Sequence, residues 1–126
     1  MFEKKPTYRI VIGGCRDFED YSVFEPFVDK CLERLSKEGK VIFLSGHCSG
    51  VDTIAEHYAK KKNYKLEIYP AEWDRYGRAA GPIRNEVMVK KSDFVIAFWD
   101  KKSRGTKSLI KLAEDNKKPT RVKYIE

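Results

Sequence analysis

VIFLSGHCSGVDTIAEHYA, residues 41–59, reads as a buried strand, a tight glycine loop and a helix in quick succession. Val41, Ile42, Phe43 and Leu44 form the continuous apolar run expected of a central strand in a parallel sheet, where both faces are covered. The chain then turns at Ser45 and Gly46. From Val51 the apolar positions fall at Val51, Ile54, Ala55, Tyr58 and Ala59, which is helical spacing. Ser49 is placed to cap this helix, with Asp52 three residues on as in a capping box, and Gly50 lies between them. Strand, glycine loop and helix N-terminus in this order leave unpaired N–H groups and the positive end of the helix dipole facing the loop, a ready site for phosphate. The same glycines also suit a plain connection between strand and helix.

Composition narrows the classes. With 126 residues the chain is about one domain, read here as a single unit over residues 1–126. Hydrophobic residues at 41% and aromatics at 13% describe a globular protein rather than a disordered one. The longest purely apolar run, residues 94–99, is far too short to span a membrane, and the opening MFEKKPTYRI lacks the apolar core of a signal peptide. A cytoplasmic protein without a membrane partner is therefore expected. Cys15, Cys31 and Cys48 are an odd count with no CxxC pair, which argues against a disulfide framework and a structural zinc site. No metal or cofactor is expected. The net charge of +7 is concentrated at one end, where residues 101–126 carry nine Lys or Arg against three acids. Such an end suits an anionic partner or simply a solvated lysine-rich face.

The remaining elements follow the same alternation. Residues 8–12, YRIVI, make a first strand that runs into Gly13, Gly14, Cys15 and Arg16, where paired glycines let the backbone approach a ligand and Arg16 can meet phosphate. Ser22 and Glu25 suggest a second capping box, followed by a core-facing stripe of Phe24, Phe27, Val28, Cys31, Leu32 and Leu35, with Pro26 near the first turn. Leu66, Ile68 and Tyr69 give a third strand stopped by Pro70. The segment AEWDRYGRAAG, residues 71–81, reads as a long loop of a kind that is usually functional. Its Trp73, Arg75, Tyr76 and Arg78 suit a base and phosphates, or pack the loop onto the body. Pro82 opens a third helix whose first turn includes Arg84 and Asn85, candidates for charge-assisted and amide hydrogen bonds. The run FVIAFW is the most apolar strand, and after it a basic loop delivers Gly105 and Thr106 to the start of a fourth helix. Thr106 serves there as part of a phosphate cradle or as an N-cap.

Five strands alternating with four helices predict an α/β, Rossmann-like doubly wound parallel sheet in the order 3-2-1-4-5 with helices on both faces. Ligands in such sheets bind beyond the carboxyl ends of the strands, where the winding reverses. That geometry would bring Gly13, Gly14, Cys15 and Arg16 together with Ser45, Gly46, Ser49, Gly50 and Asp52, with Arg84 and Asn85, and with Gly105 and Thr106, around one crevice.

The succession GGCRDF, LSGHCSGVDTIAEHYA, PAEW at 70–73, YGRAAGPIRNEVM at 76–88, DFVIAFWD and RGT closely resembles the YspA and cpYpsA-related branch of the SLOG superfamily. The superfamily includes the Lonely Guy phosphoribohydrolases and the DNA-processing protein A family, and the resemblance implies a Rossmann-like domain that binds nucleotides or nucleotide-derived ligands. It also implies a homodimer or larger assembly. Arg84 and Met88 match the R-x-x-x-M helix of the Lonely Guy enzymes, and Gly105 and Thr106 match the G-T of their P-G-G-x-G-T-x-x-E motif. Lys102 and Ser103 stand where that motif has its leading glycines, and Leu109 stands at its catalytic glutamate. No catalytic residue is assigned, and binding without rapid hydrolysis is expected, as a sensor or carrier. Glu72, Glu86 and Asp100 are the carboxylates that could replace the glutamate if the chain is a nucleoside 5′-monophosphate phosphoribohydrolase. Single-stranded nucleic-acid binding is the remaining alternative, motivated by the basic C-terminal quarter and the aromatic and arginine residues of 71–81.

Overall fold

The computed structural model describes residues 5–125; the first four residues, which belong to the stretch read above for a leader peptide, and Glu126 lie outside the described residues. Five strands, β1 (Thr7–Gly14), β2 (Lys40–Ser45), β3 (Lys65–Ile68), β4 (Phe94–Trp99) and β5 (Thr120–Tyr124), form one sheet in the order β3-β2-β1-β4-β5. All four pairings are parallel. This is the predicted Rossmann-like order.

The alternation of side chains along the central strands supplies two cores. Ile10 and Ile12 of β1, Phe43 of β2, and Ile96 and Phe98 of β4 pack with α1 (Tyr21–Glu38) and α2 (Val51–Lys61). Val11, Leu44 and Val95 point to the other face, where they meet Met88 and Val89 of α4 (Ala80–Lys91) and Leu109 and Ala113 of α5 (Arg104–Asp115). Because both faces are covered, the central strands read as unbroken apolar runs rather than as alternation. Among the described residues no helix is long and apolar enough to cross a membrane.

Several local expectations are corrected. The segment read as a long functional loop, 71–81, is helical from Trp73 onward: α3 (Trp73–Tyr76) starts with the Arg75 and Tyr76 N–H groups donating to Glu72 O, and a 3-10 turn, Gly77–Ala79, leads into α4. Among the described residues the α-helices therefore number five, and Arg84 and Asn85 fall in the second turn of α4. Helix α1 is capped by Asp20, which accepts from the Ser22 N–H at 3.0 Å, whereas Glu25 bonds Tyr21 and Lys61 instead of closing a box. Pro26 is the sixth residue of α1. Gly50, not Ser49, is the N-cap of α2, and Ser103, not Thr106, is the N-cap of α5.

Phe98 anchors α1 and the segment before it to the first core. Its ring lies 4.9 Å from that of Phe24 and 5.5 Å from those of Phe18 and Phe27. Phe98→Ala leaves a cavity among three aromatic rings and is expected to cost about 3–5 kcal/mol, read from the midpoint of urea unfolding at unchanged slope.

Candidate functional site

The winding reverses between β1 and β4, where Gly13 stands opposite Ala97 and Gly14 opposite Phe98. A Cβ on Gly14 would overlap the Phe98 carbonyl, so glycine is required there by the approach of the two strands. The chain continues into Cys15, whose N–H and Sγ both point at Phe98 O, at 3.2 and 3.4 Å. Burial pushes the Cys15 thiol up, and it is a packed group rather than a reactive one. The next loop docks on this one through its backbone: the Val51 N–H donates to Cys15 O at 3.2 Å, and Gly50, at a φ of 77°, would overlap Arg16 O if it carried a Cβ.

The loop between β2 and α2 is held from two sides. Arg84 reaches from α4 and donates from Nη1 to Gly46 O at 2.6 Å and to Tyr69 O at 3.4 Å, while its Nη2 lies 3.6 Å from Cys48 Sγ. Its Nε donates to Asn85 Oδ1 at 2.8 Å. Four of the five guanidinium N–H groups are thus directed at protein atoms. On the far side, Glu56 accepts from Ser45 Oγ at 2.9 Å and binds His47 Nδ1 at 2.9 Å, which holds His47 at a positive φ of 60°. Asp52 Oδ2 accepts from the Cys48 N–H at 3.2 Å and Thr53 Oγ1 donates to Cys48 O at 3.0 Å. Asp52 therefore reaches back to Cys48 rather than boxing with Ser49.

These elements enclose a cleft of about 470 Å³. Of the predicted residues, Gly13, Gly14, Cys15, Arg16, Asp52, Arg84, Asn85, Gly105 and Thr106 line it. Ser45, Gly46, Ser49 and Gly50 do not: Ser45 and Gly46 are buried behind the loop, Ser49 is exposed, and Gly50 forms the loop-to-loop contact. Their backbone conformations build the cleft without facing it. Sequence reading missed Asp17 and Cys48 as lining residues; it named Met88, Lys102, Ser103 and Leu109 only as positions of the Lonely Guy motifs and Asp100 only as a replacement carboxylate.

Its charges are mixed. Arg16 is exposed and makes no ion pair among the described residues, and Lys102 is likewise free. Asp100 accepts from the Ser103 and Lys102 N–H groups at 2.7 and 2.8 Å, and these bonds hold its carboxyl below the usual range. Asp52 differs. It is only 9% exposed, and burial pushes its carboxyl up to about 6 against the opposing pull of the Cys48 N–H and Arg84. At the N-terminus of α5, Thr106 Oγ1 bonds Ser103 Oγ at 3.2 Å, and a Cβ on Gly105 would meet nothing within 4 Å. Glycine at 105 is not demanded by the protein's own packing.

Residues 8–76 match the family described as YspA, cpYpsA-related SLOG. The chain belongs to that family. A relative, the Gene 61 protein of Mycobacterium phage D29, is 31% identical over 113 residues, which span 84% of this chain and 88% of the phage protein. Among solved structures, DNA processing protein A from Streptococcus pneumoniae superposes with a TM-score of 0.68 at 19% identity. DNA processing protein A from Helicobacter pylori, described for its single-stranded DNA binding mode, gives 0.60 at 23% identity. Each likeness covers 91% of this SLOG chain but only 50% and 64% of the respective neighbours, so it speaks to the shared fold.

The position of Asp52 has a measurable consequence. A carboxyl raised in the folded protein contributes most below its unfolded value, 3.8, and that contribution is lost as pH rises through about 6. Asp52→Asn, whose amide oxygen can still accept from Cys48, is expected to raise stability at pH 7 by roughly 1–3 kcal/mol. The gain should vanish below about pH 4, as followed by urea unfolding across that range.

Proposed function

We propose that the cleft binds a phosphorylated nucleotide or nucleotide-derived ligand as a sensor or carrier, with phosphate at the N-terminus of α5. The observation that carries this reading is the open space around Gly105, at a helix N-terminus that faces the cleft beside the unpaired Arg16 and Lys102. Asn85, whose Oδ1 is taken by Arg84, retains its amide N–H groups for the ligand. Membership of a SLOG family supports the class of ligand.

Catalysis is not part of the proposal. Leu109 stands in the cleft where the Lonely Guy motif has its glutamate. Glu86 is paired with Lys90 at 2.7 Å and Glu72 with Arg75 at 3.9 Å, and neither lines the cleft. Asp100 lines it with its carboxylate bound to two backbone N–H groups.

Two substitutions separate binding from folding. Arg16→Ala removes an exposed cation and is expected to leave stability within about 0.5 kcal/mol while weakening nucleoside monophosphate binding by about 1.5–3 kcal/mol, read by titration calorimetry. Gly105→Ala replaces a helical glycine and should stabilise the fold by up to about 1 kcal/mol, yet weaken the same ligand by crowding the phosphate. A calorimetric screen of mono-, di- and cyclic nucleotides that finds no response would overturn the reading.

A second reading, single-stranded nucleic-acid binding, is favoured by the α3 surface. Trp73 is 51% exposed, Tyr76 is exposed, and the Arg75 guanidinium lies 5.0 Å from the Tyr76 ring centre. Stacking there would be sequence-tolerant, and the Helicobacter pylori neighbour is a protein with a single-stranded DNA binding mode. On this reading an oligothymidylate binds with steep salt dependence, and Trp73→Ala weakens it by about 1–3 kcal/mol. The surface of α4 also motivates a homodimer: Ile83 and Val87, one turn apart, are exposed apolar residues flanked by Glu86 and Lys90. A monomeric mass by light scattering at tens of micromolar would refute this.

A further inference from the structure

Asp52 is poorly suited to holding phosphate. It sits at the floor of the cleft, nine-tenths buried, with Oδ2 bonded to the Cys48 N–H and Oδ1 bonded to no group among the described residues. Oδ1 lies 3.9 Å from where a Cβ on Gly13 would stand, a point that Leu109 Cδ2 approaches from the opposite helix layer. Among the described residues no side-chain oxygen or nitrogen fully shut from solvent lacks a partner, so Oδ1 opens onto the cleft, where water solvates it until a ligand donor takes its place. Another anion placed against it would be repelled, whereas a hydroxyl or N–H group would complete its shell.

Resting on the nucleotide reading above, we propose that Asp52 is the specificity-determining residue of this cleft, accepting a hydrogen bond from a hydroxyl or N–H donor of the ligand. The cleft then takes a sugar phosphate in preference to free phosphate or polyphosphate. The two functions are separated in space. Arg16, Lys102 and the N-terminus of α5 attract the phosphate, and Asp52 reads the neutral part of the ligand deeper in the cleft. Such a site discriminates when a ligand that lacks the donor displaces water from Oδ1 and leaves the acceptor unpaired.

The charged form is the better acceptor, so the preference should depend on pH. The groups facing Asp52 are Arg84 from α4, Glu56 one turn along α2, and both the N–H and the thiol of Cys48. Asp17, Asp100, Arg16 and Lys102 share the cleft. With the carboxyl raised to about 6 by burial, the acceptor is fully charged at pH 7.5 and largely neutral at pH 5.

The test compares ribose 5-phosphate with inorganic phosphate by calorimetry, in the unaltered chain and in Asp52→Asn, at pH 5 and 7.5. The expected result is a preference for ribose 5-phosphate of tenfold or more at pH 7.5. That preference falls at pH 5 and shrinks to about threefold or less, with little pH dependence, in Asp52→Asn. Titration of the phosphate itself is common to both proteins and cancels in the comparison. Inorganic phosphate should bind the variant as tightly or more tightly. Asp52→Ser, which removes the carboxyl with a different shape, should show the same loss of preference, and a cooperative unfolding transition establishes that each variant is folded. An unchanged preference in folded variants, or an equal loss for both ligands, overturns the assignment while leaving the phosphate site standing. Binding of neither ligand to the unaltered chain overturns the site and the assignment together.

Discussion

β1 is paired on both edges and covered on both faces, and that confinement determines where chemistry can occur. With β2 on one side, β4 on the other, and helix pairs above and below, the strand offers the solvent only its carboxyl end. The connections leave that end in opposite directions, so the loops after β1 and β4 part there and a cleft results from topology alone. Every polar group discussed above, from Arg16 to Asp52, is placed relative to this strand end.

The fold was legible because parallel strands buried on both faces appear as unbroken apolar runs. Residues 41–44 and 94–99 carry that signature, and with it a doubly wound parallel sheet followed from the alternation of elements, while 3-2-1-4-5 was one of the orders that alternation allows. Caps were less legible. Ser49 has the right residue type and spacing, yet the chain places Gly50 at the cap because the loop must bend past Arg16 O, a contact with residues more than thirty positions earlier. The helical character of 73–79 was hidden by its Gly, Trp and Arg content, which reads as loop, whereas local N–H bonds to Glu72 were enough to wind it.

Within the site, residue types were legible and their assignments were not. Arg84 looked like a ligand hook, but sequence cannot show that Gly46 O, Tyr69 O, Asn85 and Cys48 lie within its reach. Asp52 looked like half of a capping box, and only burial distinguishes it from the surface carboxylates. The Ser45, Glu56 and His47 cluster was not foreseen at all, since its members are spread over a strand end, a loop and a helix. Non-local partners decide what each of these side chains does, and a one-dimensional pattern does not carry them.

The Arg84 clamp makes the cleft preorganised. An arginine waiting in solvent would surrender rotamer freedom when a ligand arrived, at about 0.5–1.5 kcal/mol for such a side chain. Here that entropy is lost during folding, because the guanidinium is already fastened to two backbone carbonyls on different elements. The ligand would meet a fixed positive potential rather than a moving hook. Affinity in such a site depends on the rigidity of α4 against the β2–α2 loop, and changes that loosen their joint would weaken recognition without touching any atom that meets the ligand.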